Sequence, residues 1–336
     1  MTKPRSLNVP LTLLAFASLL TGCGSDNGEN PVVSQRFIHK YGYAVSQEEW
    51  NACQYPGQVI TSMRDGVTVA ATYENGELHG PTTYTFPHSQ TVQAYYLYNR
   101  GNLVKEISYD ISGMPVRERT QLSASRYAVT SWYLSGTPLS IEEYSRDELM
   151  EGQYLTPHNE TEAHVERGCG RRIRRSQEGL LLSVDQIEGG YVVRRESFYA
   201  SGAPESIAHF VEGKLHGELR KFAPSGEPIA MEEWVNGELH GRSTYFKNGS
   251  KYLEISYLNG KKNGPELHYI DGALLSQEAS WENDRKHGPT TYYVDDTVAT
   301  EWYYDGKQVS KMRFDELARL DAMIAEISPE VRTDMR

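Results

Sequence analysis

Cysteine is scarce in this chain: three in 336 residues, at Cys23, Cys53 and Cys169. None has a second Cys or a His at zinc-finger spacing, which excludes that kind of structural metal site. Positive charge is short as well, with 34 Lys and Arg against 45 Asp and Glu and a net charge of −11. So acidic a chain lacks the net basic face that binding nucleic acid through its phosphates requires. No apolar run reaches the ~20 residues that span a bilayer. The run at residues 11–20 is too short and is broken at Thr12 and Ser18. There is no G-x-S-x-G elbow, no H-E-x-x-H, no Gly-Lys phosphate loop and no G-x-G-x-x-G after a strand. Adjacent acids such as Glu142-Glu143 and Glu232-Glu233 do not make an acid/base pair, because neighbours in a strand point to opposite faces. The reading therefore singles out no catalytic residue, no metal site and no cofactor, and it treats Glu142 and Glu232 as a repeated solvent face.

What is present is a repeat. Glu212-Gly213-Lys214-Leu215-His216-Gly217 returns as Asn236-Gly237-Glu238-Leu239-His240-Gly241, then at Asn259–Gly264 and Asn283–Gly288. A full copy, Asn75-Gly76-Glu77-Leu78-His79-Gly80, lies far upstream. A second marker, Tyr/Phe-x-x-Gly, falls between these at Gly202, Gly226, Gly249 and Gly272, with Asp296 in the next glycine slot. Two markers in one period of 23 to 24 residues define a repeat unit. Each unit reads as two strands and two turns, with Gly and Asn supplying positive φ. Leu253, Ile255 and Tyr257 alternate with Glu254 and Ser256, the period of a strand. About ten units fit between Val67 and Val309, and residues 154–180 keep the period least well. The fold expected is all-β: an elongated array of hairpins in one long twisted antiparallel sheet. Phe314, Leu317, Leu320, Met323, Ile324 and Ile327 recur at helical spacing before Pro329, which predicts a C-terminal capping helix. Residues 36–66 form an N-terminal cap region, with a short helix at Gln47-Glu48-Glu49-Trp50 capped by Ser46.

The N-terminus has its own pattern. Lys3 and Arg5 precede the apolar run, and small residues lead to Leu20-Thr21-Gly22-Cys23. That tetrad resembles the lipobox of bacterial lipoproteins. The resemblance implies cleavage after residue 22, lipidation of Cys23 and a tether over residues 23–35. Cleavage removes two cations and no acid, which moves the charge from −11 to −13. Membrane attachment then comes from the lipid anchor. Gly24, where an Asp would signal retention, implies outer-membrane sorting in a Gram-negative envelope.

The repeat over residues 67–309, strongest at 199–306, resembles the MORN-variant repeat, and more closely the YwqK-type antitoxin repeat family. That resemblance implies a row of MORN-like β-hairpins and, from the family name, binding and neutralising a toxin. An export signal departs from a cytosolic antitoxin. The expected function is a membrane-anchored exported lipoprotein that binds or scaffolds a protein partner of unknown identity. The alternatives are an antitoxin or immunity protein with one toxin and, less favoured, an envelope enzyme. Residues 310–336 are the helix and tail.

Four groups remain as candidates. Cys53 and Cys169 are an even pair in an exported protein, either a disulfide or two buried thiols. Arg171, Arg172, Arg174 and Arg175 form an anion-binding patch or a solvated face balanced by acids such as Glu178 and Asp185. Phe210, Trp234, Tyr257, Trp281 and Tyr304 share one slot, as a packed stripe or an aromatic platform. His79, His216, His240 and His287 share another, and equivalent residues roughly 10 Å apart cannot meet at one metal. Turn packing or hydrogen bonding is the expected role there.

Overall fold

The structure is a computed structural model and describes residues 31–294 and 297–326. Residues 1–22, the lipidation site Cys23, and the ends marked by Asp296, Ile327 and Pro329 lie outside these.

All 26 strands among the described residues join one antiparallel sheet. It is a meander: apart from small irregularities at the first strands and at Glu238–Leu239, each strand pairs with the next in sequence. The sheet is open, and its strands run across its long axis. It begins at Val32–His39, so residues 32–35, expected in the tether, are already strand. The expected cap region contributes a full pair, Val32–His39 with Gly57–Met63. Residues 154–180 keep hairpin pairing although their glycine period has eroded.

Each unit is closed by two turns, which differ in chemistry in most units. One is a type I′ turn with both residues at positive φ, as at Asn236 (53°) and Gly237 (87°). The other has its positive φ at a single glycine in units such as those of Gly202 and Gly226, whereas Asn248-Gly249 and Asp271-Gly272 again pair two positive-φ residues. In the single-glycine form Gly202 N–H donates to Tyr199 O at 2.8 Å, and Tyr199 N–H donates to Ala203 O at 2.9 Å. The type I′ turns also bond to one another. Gly237, Gly260, Asp284 and Gly306 donate their N–H groups to the carbonyls of Leu215, Leu239, Lys262 and Lys286 at 2.8–3.0 Å. This ladder satisfies turn groups that water would otherwise have to reach. The opposite edge is stitched by tyrosines: Tyr133 Oη donates to Leu155 O and Tyr199 Oη to Phe222 O, both at 2.7 Å.

One row of directly opposed residues runs the length of the sheet. It starts Phe37, Val59, Ala71, Thr82, Tyr96, Glu106, Arg119, Val129, Glu142. After Gly152 and Val165 it meets Gly170, steps two residues along the same strand face to Arg172, and continues through Asp185, Arg195, Ala208, Leu219 and Glu232. It ends Ser243, Ile255, Glu266, Ala279, Thr290, Glu301. Directly opposed residues share a face, and most of this row is buried. Among the described residues no second layer covers it, so burial comes from curling of the sheet toward this face. Glu142 and Arg172 demonstrate the curl. Their strands are three spacings apart, about 14 Å on a flat sheet, yet the side chains meet at 3.1 Å.

Among the described residues, two helices lie at the ends of the sheet. The first, Gln47–Cys53, has the expected Ser46 cap as a full capping box with Glu49. Its Trp50 packs on Phe37 at 5.6 Å, on the curled face. The second, Lys311–Glu326, sets Phe314 against Trp302 at 5.1 Å and bonds Asp321 to the Tyr304 hydroxyl at 2.6 Å. Only its first half is covered; Leu320, Met323 and Ile324 are exposed.

Aromatic residues sit opposite each repeat's closing glycine: Trp234 faces Gly217, Tyr257 faces Gly241 and Trp281 faces Gly264. Opposite Gly288 the partner is Tyr303, not Tyr304. The last unit is one residue short in this phase, so Tyr304 belongs to the turn side and turns to the helix. Gly264 has φ 104°, and an added Cβ would lie 3.2 Å from Ser256 Cβ. Gly213 has φ 76° with open space around it. Gly264→Ala is therefore expected to cost more than the ~1–2 kcal/mol of an L-residue in left-handed backbone, and Gly213→Ala no more than that, as read from urea midpoints.

Candidate functional site

The chemistry of this molecule lies along the buried row, where sequence reasoning placed none. Glu142 and Glu232 are buried, so they are not part of a solvent face; their neighbours Glu143 and Glu233 point the other way. The inward carboxylates repeat one local device. At Glu142, Glu232, Glu266 and Glu301 a polar group two residues on, from the same strand face, lies against the carboxylate. Tyr144 donates to Glu142 at 2.8 Å, Trp234 Nε1 to Glu232 at 3.2 Å, and Tyr303 to Glu301 at 2.8 Å. His268 Nε2 lies 2.8 Å from Glu266. The pattern Glu-x-aromatic is visible in the sequence once the strand phase is known.

Cations complete the compensation. Lys221 reaches Glu232 at 3.2 Å and Lys262 reaches Glu266 at 2.5 Å. Lys262 also lies over the Trp281 ring at 4.6 Å, and Lys286 lies over Tyr303 at 4.8 Å. The aromatic slot is half-buried, and at Trp281 and Tyr303 it is paired with lysines from the preceding turn. Burial alone would raise the Glu266 carboxyl. Hydrogen bonds from Lys262 and His268 outweigh it and hold the group below its ordinary 4.5.

The densest polar cluster falls in the eroded stretch. Glu142 accepts from Tyr144 at 2.8 Å and Tyr154 at 2.9 Å, and pairs with Arg172 at 3.1 Å. Burial, then the Glu142 charge, pushes both phenols up, so they remain protonated donors. Burial opposes the charge on Arg172, but Glu142, Tyr144 and Tyr154 more than offset it and raise the guanidinium. Gly152 makes the room: a Cβ there would lie 2.6 Å from the Tyr154 hydroxyl. Next along the row, Asp185 is wholly buried and takes a two-pronged contact from Arg195 at 2.7 and 2.8 Å. A buried acid of this kind is tolerable only because it is paired.

The four candidate arginines are not brought together. Strand alternation sends Arg172 and Arg174 to the curled face and Arg171 and Arg175 to the other. Arg175 is held by Glu162 at 2.5 and 3.0 Å. Arg171 borders a shallow cleft of about 530 Å³ with Gln186 and Arg194. Arg194 is itself paired with Glu196.

The cysteine pair is corrected. Cys53 and Cys169 are both free and both exposed. Cys53 ends the first helix beside the first strands, while Cys169 opens the strand Cys169–Arg175. About ten strand spacings separate them, on the order of 40 Å, where a disulfide needs Cα atoms within about 7 Å. The histidine slot serves the turns. His79 Nδ1 accepts from Arg100 N–H at 3.3 Å and His287 Nδ1 from Asp305 N–H at 3.4 Å. Asn263 replaces His in this slot, and there Asp284 takes up the Lys262 N–H at 2.8 Å. His216 and His240 keep a buried Nδ1 without a partner. Among the described residues, no group of three or more His, Cys, Asp or Glu could hold a metal ion.

Two outcomes follow from this geometry. A carboxyl lowered in the folded state contributes stability above its unfolded value and loses it as pH falls through the lower native value. Glu266→Gln should therefore lower the melting temperature at pH 7, and the deficit should shrink as pH falls below 4.5. A deficit equal at all pH values would show that the carboxylate charge is not involved. Both Cys53 and Cys169 should react with a maleimide without denaturant, counted by intact mass.

No family model matches the sequence, and no curated protein matches it. Among solved structures, the chain is similar to the crystal structure of TcdB2-TccC3, with 10% identity and a TM-score of 0.18, over 84% of this chain and 14% of that one. It is also similar to the crystal structure of TcdB2-TccC3-Cdc42, with 11% identity and a TM-score of 0.15, over 82% of this chain and 22% of that one. The chain thus spans a small part of each chain it matches, and likeness at these scores carries no argument about what it does.

Proposed function

We propose that this chain is an exported, lipid-anchored scaffold of the cell envelope, built from MORN-variant hairpins of the YwqK type, whose outward sheet face binds a protein partner. The observation that carries this reading is the uncovered face opposite the buried row. A sheet ordinarily covers one face with another layer; here, among the described residues, the outward face has none over most of its length. Ile141, Leu182, Ile229 and Met231 are exposed on it. They alternate with charged neighbours such as Glu143, Glu233 and Arg220, the mixture of apolar anchors and polar surround found at protein interfaces. Extended repeat surfaces suit such binding because contacts spread along one face. The anchor at Cys23 would hold the face at a membrane.

Crosslinking in intact cells, read by mass spectrometry, tests both halves of the proposal. Cys23→Ser should move the protein out of the membrane fraction; unchanged fractionation would remove the anchor from the reading. The pair Ile229→Lys and Met231→Lys should abolish the partner crosslinks while leaving the melting temperature within about 2 °C, as surface substitutions do. Crosslinks that survive this pair would reject the outward face as the binding surface. A single toxic protein as the captured partner would identify the scaffold as an immunity protein.

A further inference from the structure

The charges around the buried row do not balance. On the curled face, Arg172, Arg174 and Arg195 stand against Glu142 and Asp185. Glu142 is taken by Arg172 and the two tyrosines, and Asp185 by both prongs of Arg195. The nearby acids are spent elsewhere, Glu162 on Arg175 and Glu196 on Arg194. Arg174 has no ion pair or hydrogen bond among the described residues, and its side chain is exposed. One positive charge is left over.

The residue directly opposite Arg174 is Ser183. It is 4% exposed, and its Oγ has no hydrogen-bond partner. Such a buried hydroxyl ordinarily finds one. The same row continues through Ser197 and Ser206. Directly opposed side chains start about 4.5–5.5 Å apart, so the hydroxyls line up beside the arginine. An arginine can only donate, and a serine without an acceptor has a proton to give. Both deficits call for the same thing, an acceptor carrying negative charge. A guanidinium fork matches two oxygens of such a group. A tetrahedral group keeps a third oxygen for the serine, whereas a carboxylate spends both on the fork.

We propose that Arg174 and Ser183, with Ser197 beside them, bind a tetrahedral oxyanion of the phosphate or sulfate class on the curled face of the sheet. Partial burial, followed by the charges of Arg172 and Arg195, holds the Arg174 guanidinium below its ordinary value. A bound anion relieves that repulsion. The site lies on the other face from the partner surface and does not depend on it.

Titration calorimetry on the full chain tests the site with three probes: inorganic phosphate, inorganic sulfate, and glycerol 3-phosphate as a soluble phosphate ester. Saturable binding is expected with at least one. Arg174→Gln should weaken it by roughly tenfold or more, about 1.4 kcal/mol, and Ser183→Ala by a smaller factor. Arg171→Gln, on the same strand but the opposite face, should bind as the native chain does. Tighter binding of the ester than of free phosphate assigns the site to a phosphate carried on a larger molecule, such as a lipid headgroup; the reverse assigns it to the free ion. Without ligand, Arg174→Gln should melt no lower than the native chain, because it removes an uncompensated charge. No saturable heat with any probe overturns the proposal. So does equal affinity in Arg174→Gln, or an equal loss in Arg171→Gln.

Discussion

A sheet with no opposing layer must make its own interior. Everything else in this structure depends on that constraint. Apolar area leaves water at roughly 25 cal/mol per Å², but only if something covers it. Here the cover is the sheet itself, curled so that residues on neighbouring strands crowd over one central row. Small side chains at Ala71, Ala208, Ala230 and Ala279 are buried along this face. They give the curl room, while larger residues flank them.

The same constraint explains the polar content of the row. A curled single layer is narrow, so its interior is never far from solvent, and long cationic side chains reach in from the flanks. Glutamate is tolerated at Glu142, Glu232 and Glu266 because a donor on the same strand and a cation converge on it: Arg172 from three strands away, Lys221 from the adjacent strand, and Lys262 from the same strand. Such compensated acids add little net stability over apolar packing. At Glu142 the contacts of Tyr144, Tyr154 and Arg172 do tie three strands together at one point, which fixes register where a repetitive sheet is otherwise free to slip.

Much of the fold was legible in the sequence because its determinants are local. Asn-Gly pairs mark type I′ turns by backbone chemistry alone, and Ser46 with Glu49 marks a helix start. The buried chemistry was not, because it depends on phase. Glu142-Glu143 is a pair of identical residues, and only the register of neighbouring strands decides which one turns inward. Glu142 and Arg172 are thirty positions apart and meet through curvature, which no spacing rule contains. The cysteine pair misled for a related reason. Pair counting is blind to strand order, and a meander keeps residues distant in sequence distant in space. Tyr303 and Tyr304 show how one missing residue in the last unit moves the repeat phase by one.

The ladder of turn-to-turn bonds has a mechanical meaning. Strands lie across the long axis, so tension between the two ends of the array falls across strand pairs rather than along them. The bonds of a hairpin then open in succession, as in a zipper, instead of sharing the load in shear. The turn ladder adds one bond per unit at the rim, at Leu215, Leu239, Lys262 and Lys286, where peeling begins. The array is thus a compliant spring that yields unit by unit and re-forms from the nearest intact neighbour.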